Sequence, residues 1–175
     1  IAVFAAFDHE EVGSSTRSGA SGPILETVLR RLSAALGNDE DGYHRMLATT
    51  TCVSADAGHF VHPNYAERHD PNNHPMPGQG PMLKLNANQR YASDAVGTAL
   101  WTRMCEAAGI SHQAFVSNNS VPCGSTIGPL TATRLGITTV DVGIGLLSMH
   151  SAREMSHVKD HLAMSKVLEE YWKGA

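Results

Sequence analysis

The chain has 175 residues and a formal net charge of −4, with 42% apolar and 17% charged residues. This length suits one domain with a single core, and the composition is that of an ordinary globular protein. The absence of a basic run argues against a nucleic-acid partner and against binding to an anionic membrane. Three scattered cysteines without a CxxC or Cys/His pattern argue against a disulfide framework and against a structural zinc site, so we expect a reducing compartment.

The chain opens on an uninterrupted apolar run, residues 1–7, which ends in the acidic motif FDHEEVGS (7–14). A run without alternation predicts a strand buried on both faces, and α/β sheets bind ligands outside the carboxyl ends of such strands. Glu10 and Glu11 would point in different directions there, so that one can bind a metal while the other faces substrate or water. A solvated acidic strand end is the alternative interpretation. Because no initiator Met precedes this strand, we expect a fragment of a longer protein.

Two elements and a long connection follow. An apolar stripe at helical spacing predicts a helix over residues 24–36 that covers the sheet, and residues 38–42 read as an acidic surface loop. A second strand, at 49–53, again delivers a carboxylate, Asp56, into a loop. The connection over 59–80 is rich in proline, asparagine and histidine. Its histidine spacings fit no helix or tight-turn ligand pair, so a surface or inter-subunit loop is favoured over a metal cluster.

The second half of the chain alternates strands with helices. The patterns predict a strand at 81–86 that carries Lys84, a helix at 93–108, a brief strand at 115–117, a helix at 127–135, a strand at 137–142 and a C-terminal helix from 151. His150 would stand at the last loop-to-helix junction, where a lone histidine is more often a hydrogen-bonded structural residue than a ligand. The alternation predicts an α/β domain with a largely parallel or mixed sheet.

Three predicted strand ends thus carry Glu10 with Glu11, Asp56, and His150. In a doubly wound sheet they would converge on one edge, and carboxylates with imidazole suit Zn²⁺ or Mn²⁺. If one Glu is a ligand, the other is free to act as a base towards water activated by the metal. The chain has no G-x-S-x-G elbow and no phosphate-binding glycine loop, which argues against a serine triad and a nucleotide site.

Motifs distributed along the whole chain resemble those of the aspartyl aminopeptidases, which are co-catalytic dinuclear zinc exopeptidases. They occur in the same order as in that family: FDHEEVGS (7–14), SADAGH (54–59) with HPNY (62–65), QRYAS (89–93), PCGSTIGP (122–129) and MHSAREM (149–155). The resemblance implies a three-layer helix/sheet/helix fold of the zinc-exopeptidase type with a mixed, largely parallel sheet. It covers only the C-terminal part of the family's proteolytic domain, to which all of residues 1–175 would belong.

The resemblance also implies roles for individual residues. Glu10 would be the general base and acid, Glu11 and His150 would ligate one zinc ion, and Asp56 would ligate the other. Lys84 would pair with the acidic side chain of a substrate whose N-terminal residue is Asp or Glu. Family members form homo-oligomers, up to dodecamers, in which a neighbouring subunit contributes a histidine near the substrate pocket, and they work in the cytoplasm or the vacuole.

The resemblance leaves part of the active site unaccounted for. The family's other zinc-binding His, its bridging Asp and its dimerisation domain would lie upstream of residue 1. With three of five metal ligands, the chain alone is expected to bind zinc weakly and to turn over nothing. One rival is a co-catalytic metallo-aminopeptidase for neutral N-termini. Another is a non-catalytic assembly or cargo protein on the same scaffold, against which the presence of Glu10 argues.

Overall fold

The protein is an α/β fold in which helices cover both faces of a mixed sheet. The computed structural model describes residues 1–125 and 127–174, so Thr126 of the PCGSTIGP motif lies outside the described residues. The helices are α1 (Ile24–Ala35), α2 (Glu40–Thr49), α3 (Ala95–Ala108), α4 (Ile127–Leu135) and α5 (Val158–Gly174). The strands are β1 (Thr51–Ala55), β2 (Gly58–His59), β3 (Met82–Leu85), β4 (Gln113–Val116), β5 (Thr138–Gly143) and β6 (Gly145–Leu146).

The main sheet has the strand order β1-β5-β3-β4. The pairs β1–β5 and β3–β4 are parallel, whereas β3 runs antiparallel to β5 with Leu83 opposite Val142. The short strands β2 and β6 form a separate parallel pair. The predicted mixed, largely parallel sheet is therefore confirmed. Its topology brings the end of β1, the end of β5 and the start of β3 side by side.

Side chains of the central strands pack against helices on both faces of the sheet. On one face, Val140 and Val142 join Trp101 of α3 and Val167 of α5 in the largest apolar cluster, and all four side chains are fully buried. On the other face, residues of α1 and α2 pack together with Ile137. The alternation of inward and outward side chains along β5 accounts for the three layers.

Residues 40–49 form α2, although the sequence predicted an acidic surface loop at 38–42. Asp39 caps this helix, because its carboxylate accepts a hydrogen bond from the Gly42 amide at 2.8 Å. Glu40 and Asp41 stand in the first turn, where negative charge stabilises the helix dipole. An acidic stretch that resembles a surface loop is therefore the start of a helix.

The strand predicted for residues 1–7 is wrong for this structure, because these residues form no strand and are mostly exposed. Ile1 is 88% and Phe4 79% exposed. They nevertheless line an apolar groove of about 550 Å³ together with β1, the terminal strand of the sheet. A strand buried on both faces needs neighbouring strands to pair with, and the apolar pattern of residues 1–7 does not show whether such neighbours are present.

The C-terminal helix begins at Val158, later than the predicted start at 151. Residues 151–157 are irregular because Leu147 and Met155 form an antiparallel bridge, which closes a loop over the residues between them. His150 therefore lies in a turn of this loop and not at a helix start. Among the described residues, no helix combines the length and the apolarity that crossing a bilayer requires.

Candidate metal centre

Glu10 and Glu11 lie in a 3₁₀ turn, Glu10–Val12, that is fixed by unusual backbone geometry. His9 before the turn has φ 63°, and Gly13 after it has φ 99°. The His9 imidazole shares a 2.9 Å hydrogen bond with the Thr16 hydroxyl, and the Ser14 amide donates to the His9 carbonyl at 2.8 Å. Left-handed backbone at residues other than glycine is costly and is enriched at functional sites.

His150 meets this turn from the other end of the chain. Its own φ is 66°, and its Nε2 atom lies 2.9 Å from Oε2 of Glu11. Both side chains are exposed, 69% for His150 and 73% for Glu11. The His150 amide donates to the carboxylate of Glu154, which fixes the turn from which the imidazole projects. A carboxylate and an imidazole nitrogen thus face each other at the surface, which satisfies the sequence prediction that these two residues converge.

Asp56 and Lys84 form a second pair beside the first. Nζ of Lys84 lies 3.0 Å from Oδ2 of Asp56 and donates to the Ala57 carbonyl at 2.8 Å. The Lys84 side chain is 1% exposed and that of Asp56 is 32% exposed. The ammonium group is therefore removed from water and depends on these oxygen partners.

A glycine in the intervening strand makes this pair possible. Because β5 lies between β1 and β3, Lys84 must pass the end of β5 at Gly143 to reach Asp56. A Cβ atom on Gly143 would lie 1.6 Å from the Asp56 carbonyl oxygen and 3.3 Å from Cε of Lys84. Any side chain at position 143 would therefore force these two segments apart.

Glu10 stands among all four of these groups. Partial burial raises the pKa of its carboxyl group above the ordinary value, and the charges of Asp56 and Glu11 raise it further, while those of Lys84 and His150 oppose the shift. Every residue to which the sequence assigned a role at this site thus lies close enough to act on Glu10. A raised pKa is the property that a proton-transferring carboxyl group needs.

Two further residues border the cluster, and neither of them was assigned a role from the sequence. Desolvation lowers the pKa of His59, and the neighbouring His150 and Lys84 lower it further. The ring of Tyr91 faces Lys84, with its centroid 5.5 Å from Nζ. His59 follows Asp56 within one motif, which could have indicated it. For Tyr91, the one signal in the sequence was its place in the QRYAS motif.

The donor set suits zinc in part. Carboxylate and imidazole are ligands that zinc takes in proteins, and Glu11 with His150 offers one of each. Within residues 1–125 and 127–174, however, no three His, Cys, Asp or Glu side chains are grouped closely enough to hold an ion. The described residues therefore supply one ligand pair and a separate carboxylate, Asp56, whose charge is matched by Lys84.

Comparisons with known proteins agree with this chemistry. The family model described as aminopeptidase I zinc metalloprotease (M18) matches residues 1–172. A probable M18 family aminopeptidase 2 of Streptomyces coelicolor is 54% identical over 168 residues, which is 96% of this chain and 39% of the relative. The chain thus spans about two fifths of the length of that relative.

Solved structures of the family share the fold. The crystal structure of yeast aminopeptidase 1 matches with a TM-score of 0.84 at 37% identity, covering 96% of this chain and 38% of that one. The structure of a dodecamer of mApe1 from S. cerevisiae matches equally well, with a TM-score of 0.84, 37% identity and coverage of 96% and 37%. With the family model, the relative and the fold in agreement, this chain belongs to the M18 family of aminopeptidase I zinc metalloproteases.

Proposed function

We propose that the chain forms the C-terminal portion of the catalytic domain of a metallo-aminopeptidase that removes N-terminal Asp or Glu from peptides. Its membership of the M18 family supports the reaction class. The observation that carries the proposal is the position of Glu10, whose pKa is raised amid Asp56, Glu11, Lys84 and His150. A carboxyl group whose pKa is raised, beside two carboxylates and an imidazole, supports this class of reaction.

In this proposal Glu10 moves protons and holds no metal. Its raised pKa makes it a better acceptor for a proton from the attacking water, a proton that it then gives to the leaving amine. Glu11 and His150 would hold one zinc ion, and Asp56 would hold a second together with residues outside this chain. When bound, zinc supplies a Lewis acid that acidifies water and polarises the scissile carbonyl.

Lys84 supplies the preference for acidic N-termini. Its ammonium group is almost fully desolvated, and an ion pair in such a place discriminates between substrates better than an apolar pocket does. Asp56 holds one oxygen against Nζ in this structure, so the substrate carboxylate joins or replaces Asp56 at Lys84. The same contact favours the second candidate, an aminopeptidase for neutral N-termini, because Asp56 already balances the lysine charge.

We also propose that the enzyme is a homo-oligomer. The dodecamer of the similar S. cerevisiae protein supports this. Since the chain spans about two fifths of its S. coelicolor relative, the remaining ligands and the surfaces that join subunits are assigned to the rest of the protein.

The test uses the enzyme at the length of its relatives, here called the full-length enzyme, loaded with zinc. Its kcat/KM is measured on paired substrates with N-terminal Glu or Leu. Lys84→Ala is expected to lower kcat/KM for the Glu substrate about 100-fold and for the Leu substrate by less than about threefold. Arg90→Ala, which removes an exposed cation from the nearby loop, is the matched control and should leave the ratio unchanged. An unchanged ratio in Lys84→Ala would rule out the acidic specificity and leave the neutral aminopeptidase.

A second variant tests the catalytic role. Glu10→Gln in the full-length enzyme should retain its bound zinc, measured by atomic absorption, and lose activity by at least about 100-fold. Retained activity would contradict the assignment of Glu10. The 175-residue chain by itself should bind zinc weakly in calorimetry and cleave neither substrate, and measurable turnover by it would show that its ligand set is sufficient.

A further inference from the structure

We propose that Asp141 is a positioning residue, which fixes Tyr91 against Lys84 and so maintains the selectivity for acidic N-termini. The inference rests on the proposed function of Lys84. Asp141 is a buried carboxylate to which the proposed function assigns no part in zinc binding or in proton transfer. The evidence is a set of contacts that link β5 to the segment carrying Tyr91.

Asp141 lies in β5 and is fully buried. Its Oδ2 atom accepts a hydrogen bond from the Ala92 amide at 2.6 Å. Its own amide donates to the Ser93 hydroxyl at 2.9 Å, and that hydroxyl lies 3.3 Å from the Asp141 carbonyl, to which it donates. The two residues that follow Tyr91 are therefore both tied to a single residue of the central sheet.

The Tyr91 ring is held on its other side by the core. It is 6% exposed and meets the Phe115 ring at a centroid distance of 6.1 Å, inclined by 70°. The Asp141 contacts fix the backbone of Tyr91, and Phe115 fixes its ring, so the ring keeps its place 5.5 Å from Nζ of Lys84. A cation over an aromatic face is stabilised by the ring, more strongly when water is excluded.

Gly128 of α4 packs closely against the Asp141 carboxylate. A Cβ atom built at Gly128 would lie 2.2 Å from Oδ1 and 2.4 Å from Oδ2 of Asp141. A side chain at position 128 would therefore displace the carboxylate. This gives a second, independent way to disturb the same contact.

For stability alone, a neutral or apolar residue at position 141 would cost less free energy, because burying a charge is expensive and replacing a buried charge is often tolerated. A carboxylate, however, forms a shorter and stronger hydrogen bond to an amide than a neutral acceptor does. The short bond to Ala92 is the feature that holds the Tyr91 segment close to β5, and we assign the charge of Asp141 to that task.

The experiment compares Asp141→Asn with Asp160→Asn in the full-length enzyme, on the same Glu and Leu substrates. Asp160 is the matched control, since it too is fully buried and accepts two backbone hydrogen bonds, from Gly78 and Gly80 at 2.8 Å each. Asp141→Asn is expected to lower the Glu-over-Leu ratio of kcat/KM about tenfold, through a higher KM for the Glu substrate. Asp160→Asn should change that ratio by less than about twofold.

Ser93→Ala and Gly128→Ala guard against a variant that does not fold. Both should lower the ratio in the same direction as Asp141→Asn, with Ser93→Ala giving about a threefold effect because the carboxylate stays in place. If Lys84→Ala abolishes the acidic preference while all three variants keep it, the inference about Asp141 is overturned and the proposed function stands. If Lys84→Ala leaves the preference intact, the proposed function fails and the inference fails with it.

Discussion

The pair formed by Asp56 and Lys84 makes an asymmetric prediction about stability. Asp56→Asn removes the partner of an ammonium group that is 1% exposed, whereas Lys84→Met removes the charge and keeps an apolar chain of similar length. We expect Asp56→Asn to be the more destabilising change. The reason is that a buried charge left without its partner is worse than a hydrated carboxylate without one.

The geometry sets the size of the effect. At the observed 3.0 Å separation, Coulomb's law with an effective dielectric constant of about 20 gives roughly 5 kcal/mol of direct attraction. Desolvation of the ammonium offsets much of this, and Asp56 is 32% exposed, so solvent screens its side of the pair. Breaking a buried pair costs about 3–5 kcal/mol, and after this discount we expect about 2 kcal/mol for Asp56→Asn and at most about 1 kcal/mol for Lys84→Met.

The assay is urea unfolding of the 175-residue chain, followed by tryptophan fluorescence, to which the fully buried Trp101 contributes. With an m-value of about 2 kcal/mol/M, Asp56→Asn should lower the urea midpoint by about 1 M. The double variant should lose at most about 0.5 kcal/mol more free energy of unfolding than Lys84→Met alone, because the two changes are coupled. The reasoning is refuted if Lys84→Met costs more than Asp56→Asn, or if the two effects simply add.

Two further predictions concern pH and the apolar start of the chain. Partial burial and neighbouring carboxylates raise the pKa of Glu10 in the folded chain, so the folded state binds more protons than the unfolded state between the ordinary value of 4.5 and the raised one. The free energy of unfolding should therefore fall as pH rises through that window, and thermal melts of Glu10→Gln should lack this component; an identical pH dependence in the variant would contradict it. Residues 1–7 line the groove beside β1, which is the terminal strand of the sheet in the described part of the chain. Their amides should exchange rapidly in the 175-residue chain and be protected in the full-length enzyme, with β5 protected in both as the internal control. Rapid exchange of residues 1–7 in both proteins would mean that they do not join the sheet.

Local patterns predicted most elements well where the pattern itself determines the structure. Asp94 and Gly109 bracket α3 with a side-chain cap and a left-handed C-terminal residue, and both signals are present in the sequence. The start of α5 was misplaced because Met155, Val158 and Leu162 continue an apolar spacing, yet these side chains are 59%, 72% and 60% exposed. Periodicity indicates a helical face but does not show where a competing bridge, here Leu147 with Met155, takes over.

The convergence of the site residues could be predicted, although its structural basis could not. Glu11 and His150 do meet, but Glu11 is carried by a 3₁₀ turn and His150 by a bridged loop, and neither follows a strand of the main sheet directly. The contact of Lys84 with Asp56 depends on the antiparallel placement of β3 beside β5 and on the missing side chain at Gly143. Both are tertiary properties that sequence spacing does not encode.

Asp56 links the two roles proposed for this site, because one carboxylate takes part in both. With no substrate, Lys84 relies on Asp56 and on the Ala57 carbonyl for its hydrogen bonds. Under the proposed function, an acidic substrate would bring a second carboxylate to the ammonium and relieve that dependence, whereas a neutral substrate would leave it as it is. Selectivity is then the free-energy difference between two states of Lys84, and the stability of its pair with Asp56 is the reference for both. The coupling between these two residues, measured on the folded chain without substrate, therefore sets how strongly an acidic N-terminus must bind to be preferred.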